Sequence, residues 1–231
     1  MLTLYFAPGS SSMAPHIALH EVGATFESKP MSFKQNDMRK ADYLKINPAG
    51  TVPTLLIDGR PLTEVAGILF YLARRFPEAG LLPHGDIEAE AHVVSWMSFI
   101  ASTLHLARRQ GLDHAREVYG VAERCLGSGW ALGERYSIAD IHLFRVYWRN
   151  RNALHPSGGK FPNLDAHYAR MMARPAVKKT IEVETAVMNC PRDGVCRTKD
   201  HAAVFSDGLI WKLRVVASTV PHKVSTPSAT T

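Results

Sequence analysis

The first part of the chain alternates short apolar runs with stretches of helical spacing. Leu2–Phe6 predicts a strand that ends at Ala7-Pro8-Gly9, and Thr25–Met31 predicts a second strand. Between them, Ser10-Ser11-Ser12 predicts the start of a helix, because serine side chains cap free backbone N–H groups. Two strands joined through a helix predict a βαβ unit with parallel strands.

A hairpin and another helix follow this unit. Pro53–Ile57 and Arg60–Thr63 flank Asp58-Gly59, a dipeptide typical of tight turns between antiparallel strands. From Val65 to Phe76 the apolar side chains recur at helical spacing. The order βαβ then ββα predicts an α/β domain with a mixed sheet over residues 1–78.

Beyond a Pro- and Gly-containing linker the pattern is helical. Apolar side chains recur every three or four residues from Ile87 to Leu104, which predicts one long helix. Ser137-Ile138-Ala139-Asp140 has the form of a capping box, so we assign Ser137 and Asp140 to folding. Residues 86–188 are therefore predicted to form an all-helical domain, with further helices over 114–126, 164–173 and 175–188.

The end of the chain, residues 189–231, breaks this pattern. It finishes in a Thr-, Ser- and Pro-rich stretch without periodicity, and the alternation from Leu209 to Val215 has no evident partner strand. Cys190 and Cys196 lie here, but their spacing fits neither a metal motif nor a redox motif. We predict an atypical, poorly ordered tail.

Composition and charge exclude several classes of protein. The 231 residues carry 27 Lys and Arg against 21 Asp and Glu, and the excess is dispersed rather than clustered, so a nucleic-acid partner is not expected. The longest apolar run, Ile68–Ala73, is far shorter than the ~20 residues of a membrane span. The N-terminus lacks the pattern of a signal peptide. Three cysteines are too few for a disulfide scaffold, which favours a cytoplasmic protein.

Five short motifs follow one another in order along this framework: Pro8-Gly9 with its serines and Ala14-Pro15-His16-Ile17, Asn47-Pro48-Ala49-Gly50-Thr51-Val52-Pro53, Leu62-Thr63-Glu64, Trp96–His105, and Ser137–Asp140. Together they make residues 1–188 resemble the glutathione S-transferases, and among them the bacterial beta class. The resemblance implies a thioredoxin-like N-terminal domain, a C-terminal helical bundle and a homodimer. It also implies glutathione as co-substrate, a hydrophobic electrophile as second substrate, and no metal.

The resemblance assigns the backbone of glutathione to Val52 and Pro53. In the family this proline follows a cis peptide bond, and the residue before it offers its N–H and C=O to the ligand as a strand edge does. The alternative is an ordinary trans proline that opens a strand.

The two ends of glutathione are assigned to charged and backbone groups. The resemblance implies that the Glu64 carboxylate contacts the γ-glutamyl ammonium, and that backbone N–H groups at the following helix start bind its carboxylate. The alternative for Glu64 is a favourable first-turn acid. Val65 stands where the family often has serine, so one hydroxyl is missing. Lys34, in the loop after the second strand, matches a basic ligand contact; the alternative is an ordinary surface lysine.

The residue beside the sulfur decides the chemistry. Beta-class members carry a cysteine where this chain has Ser11, so thiol–disulfide exchange through this position is excluded. A serine hydroxyl donates a hydrogen bond to a thiolate and lowers the thiol pKa. Ser11 is our catalytic candidate, with Ser12 second and the Tyr5 phenol as a competitor. The alternative is that Ser10–Ser12 serve only as cap and turn residues.

Two residues of the predicted long helix complete the set. His105 matches a beta-class histidine close to the sulfur, and Ser98 stands where that class tends to have asparagine. Seven residues are about two helical turns, so an α-helix places both on one face. The alternatives for His105 are a solvated helix residue or an interface histidine.

The predicted function is a glutathione transferase-like enzyme, in which the bound thiolate attacks an electrophilic small molecule. Two other functions stay open at this point. One is a glutathione-dependent reductase, peroxidase or lyase on the same fold. The other is a non-catalytic glutathione-binding or interaction protein.

Overall fold

A mixed four-stranded sheet forms the N-terminal part of the protein. The computed structural model describes residues 1–154 and 160–189. The strands occur in the order β2-β1-β3-β4, with β1 parallel to β2 and antiparallel to β3, and β3 antiparallel to β4. The predicted βαβ-ββα arrangement and mixed sheet are confirmed; the strands are β1 Leu2–Phe6, β2 Phe26–Pro30, β3 Thr54–Ile57 and β4 Arg60–Thr63.

Helices cover the sheet and make up the rest of the described chain. The N-terminal helices are α1 Met13–Glu21, α2 Ala41–Ile46 and α3 Val65–Arg75. The helices of the C-terminal part are α4 Ile87–Phe99, α5 Leu112–Leu126, α6 Ile138–Leu154, α7 Pro162–Ala173 and α8 Pro175–Asn189. The prediction of an α/β domain followed by a helical domain is confirmed.

Helix α1 lies where the two parts meet. It packs against β1 and α3 on the N-terminal side, and against α6 and α8 of the helical part. Leu4 and Ile17 are fully buried in the same apolar cluster as Phe144 of α6. One core therefore crosses both parts, and the loop that leads from β1 into α1 lies next to the helical domain.

The predicted long helix departs from α-helical geometry before its end. Helix α4 stops at Phe99 and continues as one π-helical turn, Ile100–Leu104, in which the His105 N–H donates to the Ile100 carbonyl at 2.9 Å. The Ser102 hydroxyl donates to the Ser98 carbonyl at 2.8 Å, a side-chain bond that competes with the regular backbone pattern. The spacing argument for Ser98 and His105 assumed 3.6 residues per turn and does not hold across this turn.

The capping box is present at the start of α6. Asp140 is fully buried, and its Oδ2 accepts the Ser137 N–H at 2.8 Å while Oδ1 accepts the Ala131 N–H at 2.7 Å. Nε2 of His167 lies 3.1 Å from Oδ1. These contacts within the helical domain agree with a folding role for Ser137 and Asp140.

Some expectations are not tested here. The tail prediction, with Cys190, Cys196 and the alternating segment, lies outside the described residues, apart from Asn189, which ends α8. The boundaries at residues 78 and 86 stay predictions. Within the described residues, no helix combines the length and the apolar character that a membrane span requires.

Candidate functional site

The serines between β1 and α1 have different environments. Ser12 is fully buried, and its hydroxyl donates to the Ala7 carbonyl at 3.1 Å and lies 2.7 Å from the Ser10 hydroxyl. Ser12 itself forms no side-chain cap on α1, because its hydroxyl turns back toward β1. The Ser10 hydroxyl accepts the Ser12 N–H at 3.2 Å, just before the helix. The Ser12 hydroxyl does not reach the surface, whereas a sulfur contact from this second catalytic candidate would require an accessible hydroxyl.

Ser11 is half-buried and its hydroxyl reaches the neighbouring loop. The Oγ atom donates to the Val52 carbonyl at 3.0 Å, although the two residues are 41 positions apart. The Val52–Pro53 peptide bond is cis, as predicted. The structure thus brings together the residue assigned to the sulfur and the residue assigned to the ligand backbone.

The loop that carries Val52 is held by local side chains. The Tyr43 hydroxyl donates to the Thr51 carbonyl at 2.6 Å, and Asn47 Nδ2 donates to the same carbonyl at 2.9 Å. Both side chains also contact the Thr54 hydroxyl, at 2.9 Å and 3.0 Å. Asn47 belongs to the motif noted in the sequence, but its role and that of Tyr43 were not predicted.

Glu64 has an unusual backbone conformation. It is exposed, with φ 67° and ψ 131°, and it stands immediately before α3. A non-glycine residue at positive φ is strained, and such strain collects at ligand-binding sites. Val65 is buried as the first residue of α3, and the free N–H groups of that first turn follow Glu64 directly in the chain.

Three of the other candidates lie apart from these contacts. Lys34 is exposed in the loop after β2, and Ser98 is exposed on α4. The Tyr5 ring lies 5.3 Å from the Tyr43 ring, on the side of the sheet opposite the buried Leu4. Among the described hydrogen bonds, none joins Lys34, Ser98 or Tyr5 to Ser11.

His105 is half-buried at the end of the π turn. Its Nδ1 lies 3.5 Å from Nη1 of Arg145 in α6. Burial, followed by the positive charges of Arg145 and Arg109, lowers the pKa of His105 below its usual value. The imidazole is therefore neutral at pH 7. With Nδ1 accepting from the guanidinium, Nε2 carries the hydrogen and is a donor.

Arg145 and Glu184 reach the Ser11 loop from the helical domain, and sequence reasoning missed both. Arg145 Nε donates to the Ser10 carbonyl at 2.9 Å, and Glu184 Oε2 accepts the Gly9 N–H at 2.7 Å. Burial lowers the pKa of Arg145 to about 10, so it stays charged at neutral pH. The sequence signal that could have indicated them was a charged residue among the apolar residues of a predicted helix face.

The arrangement suits an anionic, peptide-like ligand. The Val52 backbone offers a strand edge, Ser11 a hydroxyl donor, and the N-terminus of α1 a partial positive charge just beyond Ser11. Arg145 adds a formal positive charge one residue from Ser11. Within residues 1–154 and 160–189, no three His, Cys, Asp or Glu side chains are grouped as metal ligands.

Comparisons with known proteins give one consistent result. Residues 1–74 match the family described as Glutathione S-transferase, N-terminal domain, and residues 107–175 match Glutathione S-transferase, C-terminal domain. Glutathione S-transferase GST-4.5 of Xanthomonas campestris is 31% identical over 205 residues, covering 79% of this chain and 98% of that protein.

Solved structures agree with the sequence relatives. A glutathione transferase homologue from Sulfitobacter with bound glutathione is 32% identical, with a TM-score of 0.69 over 79% of this chain and 98% of its own. A bacterial beta-class glutathione S-transferase from Sphingomonas chungbukensis is 33% identical, with a TM-score of 0.68 and the same two coverages of 79% and 98%.

Proposed function

The chain belongs to the glutathione S-transferase family, and we propose that it binds glutathione at Val52 and Glu64 and uses Ser11 to hold the ligand's sulfur as a thiolate. The thiolate then attacks an electrophilic carbon of a second, hydrophobic substrate. Catalysis consists of placing the two reactants together and stabilising the charge on sulfur. Ser11, unlike a cysteine, forms no disulfide with the ligand.

One observation carries this proposal: the 3.0 Å hydrogen bond from Ser11 Oγ to the Val52 carbonyl. When the cysteinyl backbone of glutathione pairs with Val52, its N–H replaces the Ser11 hydroxyl on that carbonyl. The hydroxyl is then free to rotate toward the sulfur, which lies one side chain away from the paired backbone. Binding therefore releases the catalytic donor at the position where the thiolate forms.

The ends of the ligand are assigned by charge. Glu64, held next to the first turn of α3, binds the γ-glutamyl ammonium, and the free N–H groups of that turn bind the adjacent carboxylate. Lys34 binds a carboxylate from its exposed loop. His105 acts close to the sulfur, where its neutral ring donates through Nε2, and Ser98 contacts glutathione from α4.

We also propose that the protein is a cytoplasmic homodimer that acts in detoxification. The apolar side chains of Phe70 on α3 and of Ile87 and Val94 on α4 are exposed in the single chain, at 45%, 87% and 53%. Burying them against a second copy would remove apolar surface from water. Light scattering coupled to size exclusion measures the mass, which a Phe70→Glu variant should halve.

The test is an ultraviolet titration of glutathione on the purified protein between about pH 5 and 9. A saturable thiolate signal with a pKa well below that of the free ligand is expected. An S-alkyl glutathione, which has no thiol, should displace that signal without producing one. Binding without a thiolate signal would favour a non-catalytic binding protein, and no binding at millimolar ligand would overturn the proposal.

A further inference from the structure

The loop before Ser11 is held by two charged side chains from the helical domain. Glu184 of α8 accepts the Gly9 N–H at 2.7 Å, and Arg145 of α6 donates to the Ser10 carbonyl at 2.9 Å. Glu184 is 2% exposed and Arg145 is 7% exposed. Backbone groups of two consecutive residues, Gly9 and Ser10, are therefore fixed from two different helices, immediately before the catalytic candidate.

Glu184 holds α1 as well as the loop. Its second oxygen, Oε1, lies 3.1 Å from Nδ1 of His16, one turn into α1. One carboxylate thus spans the loop that precedes Ser11 and the helix that follows it. Gly9 has φ +69°, a conformation that glycine adopts without strain, and this presents its N–H to Glu184.

Stability alone does not explain two buried charges at this place. Removing a carboxylate and a guanidinium from water is costly, and apolar side chains of similar volume usually stabilise an interface at least as well. The two charged side chains determine the orientation of the loop backbone, since each fixes one backbone group at hydrogen-bond distance. The residue whose position depends on both groups is Ser11.

We propose that Glu184, together with Arg145, is a positioning residue that sets the place of the Ser11 hydroxyl relative to the glutathione sulfur. This inference rests on the proposed function of Ser11. It makes the helical domain part of the sulfur site, in addition to lining the pocket for the electrophile. The property of Glu184 that positions Ser11 is the length of its side chain, which spans Gly9 and His16, rather than its negative charge.

Two substitutions separate reach from charge. Glu184→Gln keeps the length and one oxygen for the Gly9 N–H, and its amide group can donate to His16, but it has no charge. Glu184→Asp keeps the charge and is one methylene too short to span Gly9 and His16. We expect Glu184→Gln to stay within about threefold of native kcat/KM, and Glu184→Asp to lose about 100-fold, as misplacement of about 1 Å does.

The sulfur titration gives the second readout. Positioning predicts that Glu184→Asp raises the pKa of bound glutathione, whereas Glu184→Gln leaves it unchanged. A purely electrostatic role predicts the reverse pattern, because loss of a nearby negative charge would lower the thiol pKa in Glu184→Gln. That reverse pattern, or native behaviour in both variants, would overturn the inference.

A matched control comes from the far end of α1. Arg174 of the helical domain donates to Glu21 there at 2.5 Å through Nε, and this partly buried ion pair also joins the two parts. Arg174→Met should lower the unfolding temperature without changing the sulfur pKa. If it reproduces the kinetic loss of Glu184→Asp, general loosening of the domain contact explains the data and the inference fails.

Hydrogen exchange without glutathione separates this inference from the proposed function. Peptides that contain Gly9 should exchange faster in Glu184→Asp than in the native protein or in Glu184→Gln. If native protein shows no bound thiolate but this exchange pattern is present, the proposed function fails. The conclusion that Glu184 holds the Gly9 loop in place is then still supported. Unchanged exchange in Glu184→Asp would overturn the inference itself.

Discussion

The two sides of the candidate glutathione site are built in opposite ways. The Val52 side, residues 47–54, is held by Tyr43, Asn47 and Thr54, all within 11 positions of one another. The Ser11 side, residues 8–12, is held by Arg145 and Glu184, which are 135 and 175 positions from their partners. Under the proposed function, ligand binding would depend on local structure, and sulfur chemistry on the assembly of both domains.

This difference separates affinity from reactivity. Weakening a local hydrogen bond on the Val52 side should change how tightly glutathione binds, without moving the Ser11 hydroxyl. Weakening a long-range contact on the Ser11 side should change the state of the sulfur while the ligand backbone still pairs with Val52. Each substitution below tests whether these two quantities vary independently.

The largest effect is expected from Ser11→Ala, which removes the proposed donor. We expect kcat/KM to fall about 100-fold, as it does when one donor to a developing anion is deleted. The Kd for glutathione should change by no more than about threefold, because Val52 and Glu64 are intact. Steady-state conjugation kinetics and calorimetric titration measure the two quantities.

The control for this variant is Ser95→Ala, at an exposed serine on α4. It should behave as the native protein does in both measurements. Full activity of Ser11→Ala would contradict the assignment of the sulfur donor. An equal loss of affinity and turnover would instead show that the two sides of the site do not act separately.

The same difference explains what the sequence could predict. The sheet and the hairpin at Asp58-Gly59 followed from short motifs, because local spacing and turn chemistry determine them. The cis bond before Pro53 was expected only from the family resemblance. Arg145 and Glu184 could not be assigned, since their partners are backbone groups of Gly9 and Ser10 with no side-chain signature. Such contacts depend on how α6 and α8 pack against the loop.

The prediction of one regular α-helix up to Leu104 was wrong for another reason. Apolar spacing over 87–104 fits an α-helix, and nothing in that spacing distinguishes a π turn. The Ser102 hydroxyl on the Ser98 carbonyl marks the change, and it is a single side-chain bond in an otherwise regular pattern. The burial of Ser12 was also not predicted. The sequence shows three adjacent serines, and only the path of the backbone decides which hydroxyl points inward.

The next largest effect is expected on the Val52 side, from Asn47→Ala. Asn47 is 2% exposed and donates to the Thr51 carbonyl and the Thr54 hydroxyl, so its loss leaves buried acceptors with fewer partners. We expect the unfolding free energy to fall by about 1–3 kcal/mol and the Kd for glutathione to rise about tenfold. The pKa of the sulfur that does bind should stay at its native value.

Urea denaturation and the thiolate titration measure these effects. Asp42→Asn is the control, because Asp42 forms only an exposed ion pair with Lys45 on the same helix and should change neither quantity. If Asn47→Ala raised the sulfur pKa as much as Glu184→Asp, the separation of affinity from reactivity would be wrong.

Acid should act on the Ser11 side through His142. Burial, followed by the positive charge of Arg145 and the interaction with the titratable His105, lowers the pKa of His142 to about 3. The unfolded chain has a histidine pKa near 6.5, so between these values it binds one more proton than the folded chain does. The unfolding free energy therefore falls as the pH decreases below about 6.5, by about 1.4 kcal/mol at pH 5.5.

Denaturation at pH 7.5 and 5.5 tests this contribution. In His142→Gln, the fall in unfolding free energy between these two pH values should be smaller by the contribution of one proton. In His92→Gln, at an exposed position, the fall should be the same as in the native protein. An unchanged slope in His142→Gln would mean that this histidine is not held neutral beside Arg145. On the Val52 side, the raised pKa of Tyr43 keeps that phenol neutral throughout this range.

The smallest expected effect is a gain at the start of α3. Val65 occupies the position where the family often has serine, and Val65→Ser adds a hydroxyl beside the N–H groups proposed to bind the γ-glutamyl carboxylate. One net hydrogen bond of about 1 kcal/mol should tighten the Kd for glutathione about fivefold. Val65→Ala loses the same buried methyl groups without gaining the hydroxyl, so the comparison of these two variants isolates the hydrogen bond. Because neither substitution alters Ser11 or its bond to Val52, the sulfur pKa should be equal in both variants. Calorimetry and the thiolate titration check both values. A lower sulfur pKa in Val65→Ser alone would show that binding at the glutamyl end also tunes the sulfur, and the two sides would then have to be treated as one coupled site.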